Sequence, residues 1–334
     1  MLHHVSKRVG MTLLVILLAI TINFLIPRAM PGDPIEQQMN QLSSSSAGSV
    51  GDVQAMVQSY RERFGLDKPL WRQYLNYLWA LVQLDLGYSL VNFPERVSDV
   101  ILAGLPWTVA LLGTATLISF GVGTILGGLL AWPGSSHWIR TLGVPLILLS
   151  AVPYFILGIL LMFLFGLTYP LFPVAGAYPF GFTPSWNFES VRLLFYHAVL
   201  PASSIILASI GTWAIAMRGM VISVRGEDYI MLAEAKGLPP RRVFFAYGLR
   251  NAMLPQLTHL ALTLSHIVSG AILVEVIFAY PGIGYRLYQA IQAKDYFVVQ
   301  GIVLLLSISI AVAMLVMDLI YPLIDPRIGT EKKS

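Results

Sequence analysis

The chain has 334 residues, 56% of them hydrophobic and only 11% charged, with a formal net charge of +4. A soluble domain carries about 25% charged residues, so this chain is too poor in charge to cover a water-facing surface, and lipid must be its main solvent. The absence of cysteine excludes disulfides, Cys-ligated zinc and thiol catalysis. The small, scattered positive excess points away from nucleic acid and toward basic residues held on the cytoplasmic side of a membrane.

From the N-terminus, Lys7 and Arg8 precede an apolar run from Val9 to Ile26 in which Asn23 is the only strongly polar member. The run is longer than a signal-peptide core. Pro27, Arg28 and Pro31 follow it instead of a small-residue cleavage site, so it reads as a retained first span. Crossing a hydrocarbon core of ~30 Å takes about 20 helical residues. Six stretches meet that length: 9–27, 105–131, 141–168, 198–222, 252–279 and 298–323. Gly121, Gly123, Gly127 and Gly128 in the second would let neighbouring helices approach closely.

If six spans alternate, the basic connections fall on one side. These are Lys7 and Arg8, then Arg140, then Arg218, Arg225, Lys236, Arg241, Arg242 and Arg250, and finally Arg327, Lys332 and Lys333. The positive-inside rule makes that side the cytoplasm and places both termini there. The expected organisation is an N-terminal tail and first helix (1–28), an extracytoplasmic segment (29–99), and a five-helix core (100–334) with a cytoplasmic loop at 223–250. In the outer segment, Ser43–Ser46 with Gly48 and Gly51 reads as a flexible linker. Val53–Phe64 and Trp71–Leu84 have helical spacing, with Trp71, Tyr74, Leu75, Leu78 and Leu81 on one side. They are expected as short amphipathic helices on the outer membrane face, with Trp71, Tyr74, Tyr77 and Trp79 as an interfacial belt. A second outer loop, 169–197, is expected to cap spans three and four.

The most informative stretch runs from Arg225 to Val243. Asp228–Lys236 has acids near its start, good helix formers inside, and Lys then Gly at its end; Pro239 and Pro240 stop it from continuing. The small Ala233 and Ala235 would let a partner surface come close. Read from charge alone, the stretch is a solvated loop.

The stretch also resembles the EAA loop of ABC importer permeases, the coupling helix that docks on an ATP-binding subunit. It is similar to the oligopeptide/dipeptide/nickel class, in which an acid–Tyr pair (Asp228, Tyr229) leads to Ala233-Glu234-Ala235-Lys236-Gly237-Leu238 and then to the basic pair Arg241-Arg242. Met231 stands where the general importer motif has an acid, a departure that fits this class. The resemblance extends along the chain in order. It takes in Pro31-Gly32-Asp33-Pro34, Phe64–Leu70, Leu84–Ser89, His197–Ala202, Asn251–Pro255, Glu275–Phe278 with Pro281–Gly284, Asp295-Tyr296, Asp318–Tyr321 and Asp325–Arg327.

The resemblance implies an all-α polytopic membrane protein of type I importer permease architecture, with six transmembrane helices and an extracytoplasmic insertion after the first. It implies a bacterial cytoplasmic (inner) membrane location, with a second homologous permease subunit, two ABC ATPase subunits, an extracytoplasmic solute-binding protein and membrane lipid as partners. Nucleic acid is not among them. No P-loop occurs in the chain, so ATP and Mg would bind the partner ATPases, and this chain would hold no cofactor and catalyse nothing. Oligopeptides are the expected solute, with oligosaccharides, nickel or opines as alternatives within the class. An ion-coupled secondary transporter would need intramembrane ionisable relays; only Glu275 and Asp318 qualify, and two acids with no second discontinuous helix pair weigh against it. An intramembrane enzyme lacks a motif, and His3, His4, His137, His197, His259 and His266 have no zinc-ligand spacing. Glu275, Trp213, Pro281 and Gly282 are the candidate pathway or gate residues, and Trp107, Tyr154 and Phe155 either line a path or pack.

Overall fold

The computed structural model describes residues 2–29, 58, 67–265, 267–269 and 271–324. Its helices are α1 (Leu2–Ala29), α2 (Leu70–Val82), α3 (Val97–Ala131), α4 (His137–Thr141), α5 (Gly143–Ala151), α6 (Tyr154–Met162), α7 (Phe188–Arg225), α8 (Asp228–Ala235), α9 (Pro240–Arg242), α10 (Arg250–Ser265), α11 (Ile272–Ile277), α12 (Ile283–Gln292) and α13 (Tyr296–Ile324). Among the described residues there is no strand, only a bridge between Tyr88 and Arg96.

Among the described residues, length and apolarity qualify four helices to cross a membrane: Ser6–Ile26, Val97–Ala131, Phe188–Arg225 and Tyr296–Val316. A fifth span exists if the pair His137–Ala151 and Tyr154–Thr168, bent by 99°, counts as one. The chain is therefore an all-α membrane protein, but two of the expected spans are broken. The stretch 141–168 breaks because Pro153 pushes Val152 out of the helical region to φ −89°, ψ 124°. The stretch 252–279 divides into α10, of 16 residues, a tight turn at Ile267–Ser269, and α11, of 6 residues; neither helix is long enough to cross alone. The PGDP element, the serine linker, Val53–Phe64 apart from Gln58, His266, and the C-terminal Asp325–Arg327, Lys332 and Lys333 lie outside the described residues.

The chain divides into two compact units, 1–106 with 285–334, and 107–284. In the first unit α1 packs on α13. Two buried side chains each donate to the other residue's backbone across this contact: Asn23 Nδ2 to the Gln300 main-chain carbonyl at 2.8 Å and Gln300 Nε2 to the Asn23 main-chain carbonyl at 3.0 Å. Tyr74 and Tyr77 of α2 pack on Phe24, and the Tyr74 hydroxyl shares a 2.7 Å hydrogen bond with Thr21. The expected sidedness of this helix needs correction. Tyr74 faces α1, whereas Trp71, Leu75 and Trp79 are exposed together on the far side. Buried Asp295 caps α13 by accepting from Val298 N, and it also accepts from Ser89 Oγ, Leu90 N and Val91 N.

In the second unit α7 packs against α5, α6 and α10. Close approach is made by glycine: a Cβ on Gly127 would lie 2.2 Å from the Ala214 carbonyl oxygen, and one on Gly211 2.1 Å from that of Leu146. Gly123 and Gly128 are similarly enclosed, whereas a Cβ on Gly121 would have nothing of this chain within 4 Å among the described residues. The loop after 168 folds back over the unit. Gly176 N donates to the Phe278 carbonyl at 2.8 Å, and His197 Nδ1 lies 3.2 Å from the Gly176 carbonyl. The loop is shorter than expected, because helix resumes at Phe188 under an Asn187 cap that accepts from Ser190 N.

Candidate functional site

The Arg225–Val243 segment is built as its sequence anticipates. α8 covers Asp228–Ala235, and its end is a Schellman closure: Leu238 N donates to the Ala233 carbonyl at 3.2 Å and Gly237 N to that of Glu234 at 2.9 Å. Closure requires the left-handed conformation at Gly237, where φ is +70°, a region an L side chain enters at a cost of about 1–2 kcal/mol. Pro239 precedes α9, and a π-helical stretch, Val243–Leu249, joins it to α10.

One side of α8 is fixed to its own chain. Ile230 and Ala233, three apart and so on one face, are buried with Val243 in a cluster lined by Trp132, Val224, Leu238 and Tyr247. Ala233 was expected to make room for a partner; its small size instead lets α8 sit against the body of the unit. Trp132, which no motif marks, is the anchor. Its ring packs edge-on against Phe244 at 5.1 Å and lies beneath the Arg225 guanidinium, which also donates to the Ala131 carbonyl at 3.3 Å. The signal available in the sequence was a lone Trp ending a long apolar run.

The other side of α8 is open. Met231 and Leu232 are 56% and 54% exposed and Tyr229 stands beside them. Asp228, Glu234, Ala235, Lys236, Gly237, Arg241 and Arg242 are exposed around this apolar group, and Leu238 is half-buried. Apolar side chains ringed by charge on a short, firmly seated helix form a surface that a partner can cover.

The second candidate cluster is closed. Glu275 and Thr108 are both fully buried. Thr108 Oγ1 donates to Glu275 Oε1 at 2.7 Å and accepts from Ile283 N at 2.8 Å, while Gly284 N donates to Glu275 Oε2 at 2.7 Å. The carboxylate thus sits at the first amides of α12, where the helix dipole favours negative charge, and it ties α11 to that helix start. A Cβ on Gly282 would lie 2.4 Å from the carboxylate, so glycine is required there by contact. Pro281 is partly buried in the same corner. Thr108 is 167 residues from Glu275 and was not foreseen.

Trp213 is 97% buried: Phe120 meets it edge-on at 5.2 Å, His259 lies over it at 4.6 Å, and its carbonyl accepts from Gln256 at 3.1 Å. Trp107 packs edge-on against Tyr178 and Tyr280. Asp318 falls within α13, with its side chain outside the described residues. Among the described residues the two clusters and Trp213 are separate features.

Residues 123–330 match the family model described as "Binding-protein-dependent transport system inner membrane component". Over nearly their full lengths the chain is similar to curated bacterial proteins. A putative peptide transport system permease protein of Brucella abortus (strain 2308) is 35% identical over 325 residues, 97% of this chain and 98% of that one. The di/tripeptide transport system permease protein DppB of Pseudomonas aeruginosa is 34% identical over 349 aligned residues, covering 99% and 100%. The oligopeptide transport system permease protein AppB of Bacillus subtilis is 32% identical over 314, covering 94% and 95%.

Proposed function

This chain belongs to the family of binding-protein-dependent transport system inner membrane components, and we propose on that premise that it is one of two permease subunits of an ATP-driven peptide importer. The names of its relatives, which specify peptides, di/tripeptides and oligopeptides, support peptide as the solute over oligosaccharides, nickel or opines. A second permease of similar size completes the pathway. Two ATPase subunits bind on the cytoplasmic side, and an extracytoplasmic binding protein delivers the solute. Both termini are cytoplasmic and six spans cross the membrane, the third and fifth of them broken.

The observation that carries this reading is the two-sided build of α8. The side bearing Ile230 and Ala233 makes it a rigid extension of the body, so a push on the exposed side is transmitted and not absorbed. ATP-driven closure of the ATPases moves α8 as a lever, and the helices flanking it, α7 and α10, switch the cavity between outward and inward access. The Glu275 corner holds its loop in one shape, a positioning role; a proton relay would call for further ionisable groups along the path.

The test is uptake by proteoliposomes holding the complete complex. Tri-alanine should accumulate only with ATP inside and binding protein outside, and dissipating the proton gradient should leave the rate unchanged. Uptake that follows the gradient and ignores ATP would replace this reading with ion coupling.

A further inference from the structure

The break between α5 and α6 opens a cavity that neither candidate cluster uses. In a bilayer, non-helical backbone at membrane depth persists only where protein buries it or where it lines a water-filled space. Here Ala151, Val152 and Pro153, at the 99° bend, form one wall of a cavity of about 400 Å³, a volume within the range of small-molecule sites. The opposite wall comes from α7 and α10, through Ser209, Thr212, Trp213, His259 and Thr263.

The chemistry of the lining is specific. It contains no Asp, Glu, Lys or Arg, so it offers neither counter-charge nor fixed-charge repulsion. Ser209 and Thr212 are three apart on one face of α7. Their hydroxyls and the His259 ring nitrogens make no hydrogen bonds among the described residues, unlike Thr263, which donates to the His259 carbonyl at 2.9 Å. The His259 ring lies against Trp213, which gives the polar edge an apolar backing. Neutral groups that both donate and accept match an alternation of N–H and C=O, and no salt bridge is needed.

We propose that this cavity is a solute-contacting station of the transport pathway, where Ser209, Thr212 and His259 hydrogen-bond the uncharged backbone of a passing peptide. The inference rests on the peptide-importer reading and deepens it: the station recognises main chain, which is common to peptides of any side-chain composition.

The native chain has no cysteine, so single cysteines report without background. In the assembled complex, Thr212→Cys should react with a charged, water-soluble methanethiosulfonate. The reaction should cut tri-alanine uptake at least about tenfold and be slowed by tri-alanine with binding protein. Leu148→Cys, on α5 but outside the cavity and 64% exposed, should not react with the same reagent. In parallel, Thr212→Val should raise KM for tri-alanine about 2–10-fold, the worth of one hydrogen bond, and Thr212→Ser should restore it. A Thr212→Cys that stays unmodified, that is modified without loss of uptake, or that gains no protection overturns the proposal, as does an unchanged KM in Thr212→Val. If the native complex moves no tri-alanine at all, the importer reading fails first. The labelling contrast between Thr212→Cys and Leu148→Cys then still decides whether the cavity is wet, and a dry cavity sinks the station on its own.

Discussion

The α8 segment and the Glu275 corner are both turns between helices, yet they satisfy their side chains in opposite ways. The corner is complete within one chain: a buried carboxylate, a threonine hydroxyl and two backbone amides meet one another at 2.7–2.8 Å, and Gly282 is bare because nothing more fits. α8 is complete on one side only, with Ile230 and Ala233 sealed and Met231 and Leu232 left open. Substitutions in the corner should therefore act on folding, whereas those on the outer side of α8 should act on assembly and work.

The sharpest way to break this contrast is Glu275→Leu. It strands the Thr108 hydroxyl and the Gly284 amide in a buried site, at about 1–3 kcal/mol each. The purified chain should lose thermal stability in detergent; an unchanged midpoint would mean the corner is not a structural latch. Next in size is the double change Met231→Asp with Leu232→Asp. As exposed positions they should move stability by no more than about 0.5 kcal/mol, while co-purification of the ATPase subunits is lost. Retained ATPase binding would place the docking surface elsewhere.

A smaller, subtler effect is expected of Gly237→Val. The strain of about 1–2 kcal/mol is local to the end of α8, so spans and assembly should survive while peptide moved per ATP hydrolysed falls. Gly237→Asn should recover much of the ratio, since asparagine tolerates this conformation better. An unaltered ratio in the valine variant would separate α8 from coupling. Smallest is Thr108→Ser, which keeps the hydroxyl and removes one methyl, worth about 0.8 kcal/mol. If it destabilises as much as Thr108→Val, packing and not hydrogen bonding holds the corner.

What the sequence revealed divides along physical lines. Long apolar runs with no interruption, such as those of α1 and α13, declare themselves because lipid demands it. The helical form of the α8 segment was legible, since acids, helix formers, Gly237 and Pro239 are local signals, but the inward face of Ala233 was not. The break in 141–168 was not legible, because mean hydropathy is blind to a single proline; Val152-Pro153 was the available warning. The sidedness of α2 was also hidden, since Trp71 and Tyr74 are equally at home against lipid or against a helix. Nor does any local pattern join Thr108 to Glu275, whose meeting depends on how the whole unit folds.

The reciprocal amides of Asn23 and Gln300 carry a consequence for biogenesis. Asn23 precedes Gln300 by 277 residues, so it enters the bilayer well before its final partner is made. Closing this clasp waits for residue 300, and until then the Asn23 amide has, among the described residues, only the longer, 3.5 Å contact with the Tyr77 hydroxyl.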